Sequence, residues 1–323
     1  VAGDGGKLRG GIDLGGTKIQ TVVVDAGGEV LGQSRRPTPT DGGPAGVAEQ
    51  MAEALREAAQ EAGVESGTLE GVGVGSPGDA DEKTGVVSSA KNLPDWEGSF
   101  PLAATLKEAL GTEVRVGNDV QVATEAEFHL GAGREFQSLI GVFWGTGVGG
   151  GLVLDGKPWL GRGAAGEIGH MVVKRGGAKC PCGRKGCMEA YAGRLAMEAE
   201  ARRLHEEGHK TDLFHLMEKH EKPRLTSGIW ERALDHGDHL AEKLIDRAIE
   251  ALGTGVASAV NLIDPEAVII GGGLGGRFGE RYMEPLMEEM SKHLFLDEKP
   301  PAVRVASLGD LGGAVGASLL FAR

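Results

Sequence analysis

Three cysteines are all that this 323-residue chain contains: Cys180, Cys182 and Cys187. They lie in one short stretch and read as a single cluster, leaving no cysteine for a disulfide framework. A reducing compartment, the cytosol, is the expected setting. No run of apolar residues approaches bilayer length, which argues against a membrane-spanning protein. The N-terminus, Val-Ala-Gly-Asp-Gly-Gly-Lys, lacks the apolar core of a signal peptide. It also lacks an initiating Met, so further residues upstream are to be expected. Cations are in deficit, with 34 Lys and Arg against 47 Asp and Glu, a formal net charge of −13. Such a surface argues against nucleic acid as the main partner. It leaves room for a phosphorylated small molecule, whose charge is met locally by backbone N–H groups and a metal ion. No Walker A sequence is present, which excludes a P-loop kinase.

What the chain does have is glycine, 56 residues of it, set beside apolar runs where it marks turns and close backbone approaches. Hydrophobic content of 40% and charged content of 25% are those of a soluble globular protein, long enough for one large core or two ordinary ones. The cysteines sit in Cys-Pro-Cys-Gly-Arg-Lys-Gly-Cys, and His170 precedes Cys180 by ten positions. One imidazole and three thiolates make a complete tetrahedral set for zinc, with no open position, so a structural zinc held by His170, Cys180, Cys182 and Cys187 is expected. Glu167 and Glu189 flank this knuckle. A closed metal site would hold His170 and both carboxylates in fixed relative positions, a way to build a rigid pocket for a polyhydroxylated ligand.

Apolar periodicity predicts strands at Leu8–Leu14, Ile19–Asp25 and about Glu29–Arg36, joined by tight glycine turns as an antiparallel start. A helix follows at Ala45–Gly63, a buried strand at Gly71–Gly75, a mostly loop region over 79–98, a helix at Leu102–Leu110, a strand at Glu113–Val116 and a helix at Val120–Leu130. The opening device then returns: strand Leu139–Trp144, a glycine turn, strand Gly150–Leu154. That repetition suggests two related halves. Residues from about 188 to 262 read as largely helical. A strand at Ala267–Ile270, a helix from about Gly279 to Leu294, a strand at Val303–Ala306 and a helix at Gly312–Phe321 complete an α/β chain in two lobes. The expected division is a small domain of residues 1–118 plus 310–323 and a large domain of 119–309 carrying the knuckle.

Three glycine turns follow strands: Gly15-Gly16-Thr17-Lys18 after Asp13, Gly145-Thr146-Gly147, and Gly271-Gly272-Gly273. Each can point bare N–H groups at an anion. Asp13 is placed to hold a phosphate-bound Mg²⁺. Gly145, Gly147 and Gly150 also fit G-x-G-x-x-G, as do Gly271, Gly273 and Gly276. In the first a strand follows where a dinucleotide site needs a helix, and the second comes too late in the chain to lead a full dinucleotide-binding unit. Asp119 follows a strand and starts a helix, where Asn118 or Asp119 would cap it. Phosphoryl transfer to a hydroxyl needs such a carboxylate to orient the hydroxyl and take its proton, and the Asn118 amide could hold a neighbouring hydroxyl. His205-Glu-Glu-Gly-His209 spells a metalloprotease signature, but glycine interrupts it amid dense charge, so it reads as a solvated helix end.

Taken together these motifs resemble the ROK family (repressor, open reading frame, kinase) over nearly the whole chain. Asp13-Leu-Gly-Gly-Thr-Lys18 and Gly145-Thr-Gly-Val-Gly-Gly150 look like its two phosphate motifs. Gly117-Asn-Asp119 looks like its sugar and catalytic motif. Glu167-Ile-Gly-His170 with Cys180 through Glu189 looks like its zinc and sugar signature, and Gly271-Gly-Gly-Leu274 resembles its adenosine-side turn. The resemblance implies an actin-like, hexokinase-like two-domain fold (a duplicated ribonuclease H-like one) with an interdomain cleft. It implies Mg²⁺·ATP-dependent phosphorylation of a hexose at its 6-hydroxyl, glucose to glucose 6-phosphate first among the expectations. Asp119 is then the base. Asn118, Asp119, Glu167, His170 and Glu189 hold sugar hydroxyls, with His170 giving one ring nitrogen to zinc and the other to the sugar. Gly78 and Asn92 come from loops that cover the sugar. Asp13, Gly15, Gly16, Thr17, Lys18, Gly145, Thr146, Gly147, Gly271, Gly272 and Gly273 serve ATP. A homo-oligomer, dimer or tetramer, is implied as well. The alternatives are another hexose (N-acetylmannosamine, N-acetylglucosamine, mannose or fructose) and a non-catalytic sugar-binding regulator. Family repressors carry a DNA-binding segment before the first phosphate motif, and the 12 residues before Asp13 are too few for one. The knuckle favours ATP over polyphosphate.

Overall fold

A computed structural model of the chain describes residues 7–90, 93 and 95–322. It divides into two compact units. The first comprises the chain up to Glu135, residues 158–163, and the chain from Ser307; the second comprises Phe136–Lys157 and Ala164–Ala306. The divisions thus fall after Glu135 and Ala306, where the sequence suggests 118 and 309.

In the first unit, β1 (Arg9–Leu14), β2 (Lys18–Val24) and β3 (Val30–Pro37) form an antiparallel meander with Ile12 opposite Thr21 and Val22 opposite Gln33. Helix α1 (Gly43–Glu61) buries Val47, Met51, Leu55 and Ala58, a stripe at helical spacing. It begins two residues earlier than periodicity suggests, because Pro44 stands in the first turn, where a missing N–H costs nothing. Strand β4 (Val72–Ser76) runs parallel to β1. The expected loop region instead holds three short antiparallel strands, β5 (Asp79–Asp81), β6 (Val86–Ser88) and β7 (Ser99–Phe100), with Val87 and Trp96 buried and the Trp96 ring edge-on to Phe100. Strands of two or three residues are too short to show a period. Helix α2 (Leu102–Leu110), β8 (Val114–Asn118) parallel to β4, and α3 (Asp119–His129) follow. The main sheet order is β3-β2-β1-β4-β8.

In the second unit, β9 (Leu139–Trp144) and β10 (Val148–Leu154) repeat the hairpin, and β11 (Lys157–Pro158) is a short edge strand. Helices α4 (Glu189–Ala192), α5 (Arg194–Glu206), α6 (Leu213–Lys219), α7 (Ser227–Asp235) and α8 (His239–Ile263) lead to β12 (Ala267–Gly271), α9 (Gly272–Ser291) and β13 (Ala302–Val305). The order β11-β10-β9-β12-β13 matches the first sheet position for position: an antiparallel hairpin whose first strand is flanked by two successive parallel strands. Helix α9 starts directly at Gly272, seven residues before the expected Gly279. Glycine is a poor helix former, so local propensity hides this start. Packing supplies it, since Leu274, Gly275 and Phe278 are buried and the Phe278 ring lies 6.1 Å from that of Trp144.

The chain returns to the first unit with α10 (Gly312–Ser318), which lies directly on β1 and β4. Gly11 and Gly73 allow that contact, because a Cβ at either would overlap the carbonyl of Ala314 or Ala317. Among the described residues no helix is long and apolar enough to cross a membrane.

Candidate active site

Each unit gathers its own share of the chemistry-bearing residues. In the first, Gly15 N–H closes the β1–β2 turn on Lys18 C=O (2.9 Å), and Thr38 Oγ donates to Gly15 C=O (2.6 Å). The N–H groups of Gly16 and Thr17 have no protein partner among the described residues, so two adjacent amides are available to an anion. Lys18 Nζ and Arg35 each lie 3.6 Å from the Asp310 carboxylate. Asp13, near the end of β1, is densely enclosed by protein while keeping some solvent contact. Burial pushes its carboxyl up to about 6, Lys18 pulls it down and Asp310 pushes it up. Two residues past the end of β4, Gly78 turns the chain with φ 84°. Asn92 lies outside the described residues.

Asn118 is both the last residue of β8 and the cap of α3. Its Oδ1 accepts from Val120 N (3.1 Å) and Gln121 N (3.2 Å), which leaves the Nδ2 amide to donate to a ligand. Asp119 opens the helix, half-buried, and its Oδ1 accepts from Val120 N at 2.9 Å. Capping duty thus falls chiefly on Asn118.

In the second unit the knuckle is assembled. One nitrogen of His170 and the three sulfurs all lie within 4.8 Å of one another, the one such metal-competent group found among the described residues. The Cys182 and Cys187 sulfurs are 3.7 Å apart, and Cys180 Sγ is 3.9 Å from His170 Nδ1. Tetrahedral zinc with Zn–S bonds of about 2.3 Å sets sulfurs about 3.8 Å apart, so the donors fit that ion. The frame is braced by the Val172↔Cys187 and Lys179↔Lys185 bridges and by Ala178 N–H donating to Tyr191 Oη (2.7 Å). Burial raises the Cys180 thiol to about 12 and raises Cys187 too, whereas the Arg184 N–H holds Cys182 below the usual thiol value.

His170 faces two ways, with Nδ1 on the thiols and Nε2 3.8 Å from Glu167 Oε2, and its side chain is 30% exposed. Glu189, first residue of α4, joins the knuckle to the second glycine turn. Its Oε1 lies 3.7 Å from Cys180 Sγ and its Oε2 accepts from Val148 N at 3.1 Å. Gly147 makes room for it, since any Cβ there would overlap the Glu189 carboxylate. As in the first unit, the leading glycine closes the turn, Gly145 N–H to Gly147 C=O at 3.0 Å. The next two amides, Thr146 and Gly147, have no protein partner among the described residues. Gly271 is the cap residue of α9, and Gly272 and Gly273 are its first turn, with the outward N–H groups that a helix start leaves unbonded. His205 and His209 do not pair as metal ligands: α5 ends at Glu206, and His205 Nδ1 lies 3.3 Å from His209 C=O. Arg194, passed over in the sequence, bonds the Thr146 hydroxyl at 3.0 Å. Only the fold brings these two together.

The ROK family model matches residues 9–323. A glucokinase of Thermotoga maritima is 34% identical over 285 residues, covering 88% of this chain and 87% of that protein. An N-acetyl-D-glucosamine kinase of Erwinia tasmaniensis is 33% identical, covering 96% of this chain and 98% of that protein. Among solved structures, a glucokinase from Streptomyces griseus in complex with glucose and AMPPNP superposes with a TM-score of 0.82 at 32% identity, over 97% of this chain and 98% of that one.

Proposed function

The chain belongs to the ROK family, and from that premise we propose that it is a sugar kinase transferring the terminal phosphoryl group of ATP to a hexose, glucose foremost, at the 6-hydroxyl. The observation that carries the reading is the pairing, in one contiguous cluster of the second unit, of His170 and Glu189 at the knuckle with a glycine hairpin whose Thr146 and Gly147 amides have no protein partner among the described residues. In the proposed reaction the sugar hydroxyl oxygen attacks the γ-phosphorus, the bond from that phosphorus to the β-phosphate oxygen of ADP breaks, and the hydroxyl proton passes to Asp119. The Asn118 amide, Glu167, His170 Nε2 and Glu189 hold the other hydroxyls, and Gly78 shapes the sugar-side loop. The amides of Gly16 and Thr17, with Lys18 next in the chain, and the amides of Thr146 and Gly147 meet phosphate charge as it develops, and the start of α9 serves the nucleoside. Bound Mg²⁺, near Asp13, would neutralise phosphate charge, and zinc in the knuckle would fix the orientation of His170.

Asp119→Asn tests the assignment. It should lower kcat by roughly 10²- to 10⁴-fold, with metal content and melting temperature unchanged, and an enzyme of near-normal kcat would refute the role. A relative active on N-acetylglucosamine keeps a second substrate in view. A coupled assay over glucose, mannose, fructose and the N-acetylhexosamines, with ATP and with polyphosphate, distinguishes them.

A further inference from the structure

Arg194 is the first residue of α5, and three bonds tie this helix start to the second glycine turn. Its N–H donates to Gly145 C=O (3.0 Å), the next N–H, of Leu195, donates to Thr146 C=O (3.1 Å), and its Nη2 donates to Thr146 Oγ at 3.0 Å. Nη1 donates to Leu225 C=O at 3.1 Å, which fixes the plane of the guanidinium. The side chain is half-buried, yet no carboxylate pairs with it among the described residues. Glu198, four residues on, is occupied by Arg202 (2.9 Å) and by Leu225 N–H (3.1 Å). Glu198 still acts on Arg194 through its charge, without a direct ion pair, and Arg224 opposes it with a second positive charge nearby. A half-buried guanidinium stays charged, and one without an ion pair marks a place where an anion would be favourable.

Thr146 itself is exposed. An oxygen that accepts a bond from a guanidinium must point its own O–H elsewhere, and the charge makes that O–H a better donor. The amides of Thr146 and Gly147 are the ones of this turn without a protein partner among the described residues. We propose that Arg194 is a positioning residue for phosphoryl transfer: it orients the Thr146 hydroxyl as a donor to a phosphate oxygen of the nucleoside triphosphate and adds positive charge behind the turn. The proposal rests on the reading of Gly145–Gly147 as a phosphate site.

A double-mutant cycle tests it. Thr146→Val, Arg194→Met and the double variant would be compared for kcat, KM for ATP, KM for hexose, and affinity for a non-hydrolysable ATP analogue by calorimetry. Arg194→Met should weaken analogue binding or kcat/KM for ATP roughly ten- to hundredfold while hexose KM, zinc content and melting temperature hold. Adding it to Thr146→Val should cost much less than the product of the two single effects. Arg194→Lys should recover part of the loss, since it keeps the charge but cannot span both partners. Additive effects, or loss of melting temperature alone with ATP parameters intact, would overturn the proposal. If Arg194→Met does not fold, Arg194→Lys and Arg194→Gln take its place in the cycle, with Gln keeping a donor and losing the charge. A Thr146→Val enzyme with unchanged ATP parameters would also overturn the proposal, since that change removes the hydroxyl and keeps the turn amides, whereas failure of the parent protein to bind the ATP analogue would overturn the phosphate-turn reading on which the proposal stands.

Discussion

At the scale of single residues, Asp13 is a position where stability and the proposed role oppose each other. Its folded-state value of about 6 lies above the ordinary 3.8. Between those values the folded protein retains a proton that the unfolded chain has given up. Asp13 therefore destabilises the ligand-free fold progressively as pH rises from about 4 to about 6, and the full penalty persists at neutral pH. Its size is on the order of 2 kcal/mol after allowing for partial solvent contact. Asp13→Asn should accordingly raise the melting temperature at pH 7, remove that pH dependence, and depress turnover. A variant less stable than the parent at pH 7 would contradict the buried-charge account. Several other residues were legible beforehand because their roles are local: Asn118 follows a strand and precedes a helix, and the knuckle donors crowd one stretch. Arg194 was not, since Thr146 lies 48 positions away and an arginine at a helix start looks the same whether or not it reaches a distant turn.

At the scale of elements, Glu127 shows how a helix can organise the segments around it. It lies in α3, 3% exposed, and its carboxylate accepts from Ala132 N (2.9 Å), Ser307 N (3.0 Å) and Leu308 N (2.9 Å). One side chain thus fixes the segment just before the chain leaves the first unit and the segment where it returns. Glu127→Ala would leave three partly buried N–H groups without their acceptor, at a cost of about 1–3 kcal/mol. Glu127→Gln, which keeps the shape and loses the charge, should cost less. Urea titration of the two variants checks the ranking, and equal losses would mean that packing rather than hydrogen bonding dominates. The strands β1, β2, β9 and α2 were readable because alternation or a buried run matches their length. The early start of α9 was not, because two glycines open it and only contact with Trp144 and Ile270 overrides their poor propensity.

At the scale of the whole molecule, the repeated hairpin motif announced two related sheets, but not where one unit yields to the other. Asp119 and α3 stay with the first unit, and a strand-to-helix junction carries no sign of that. Each unit has its own core: Ile12, Met51, Leu55 and Leu106 in one, Trp144, Trp230, Ile245 and Phe278 in the other. The knuckle belongs wholly to the second. Metal binding is folding free energy for the unit that supplies the ligands, and apparent values for structural zinc are about 10–16 kcal/mol near neutral pH. Thiols raised by burial at Cys180 and Cys187 must lose their protons to bind, so affinity should fall as pH falls and binding should release protons. Stripping the metal with a chelator should therefore lower one calorimetric transition by roughly 10 °C or more and leave the other in place. The shifted transition should be the one that exposes Trp144 and Trp230, buried in the second core, while Trp96 of the first core reports the unmoved one. Hexose affinity should fall with the metal, because His170 and Glu189 lose the frame that orients them. Full hexose binding by the stripped protein, or a shift confined to the Trp96 transition, would mean that the knuckle neither stabilises the second unit nor shapes the sugar site.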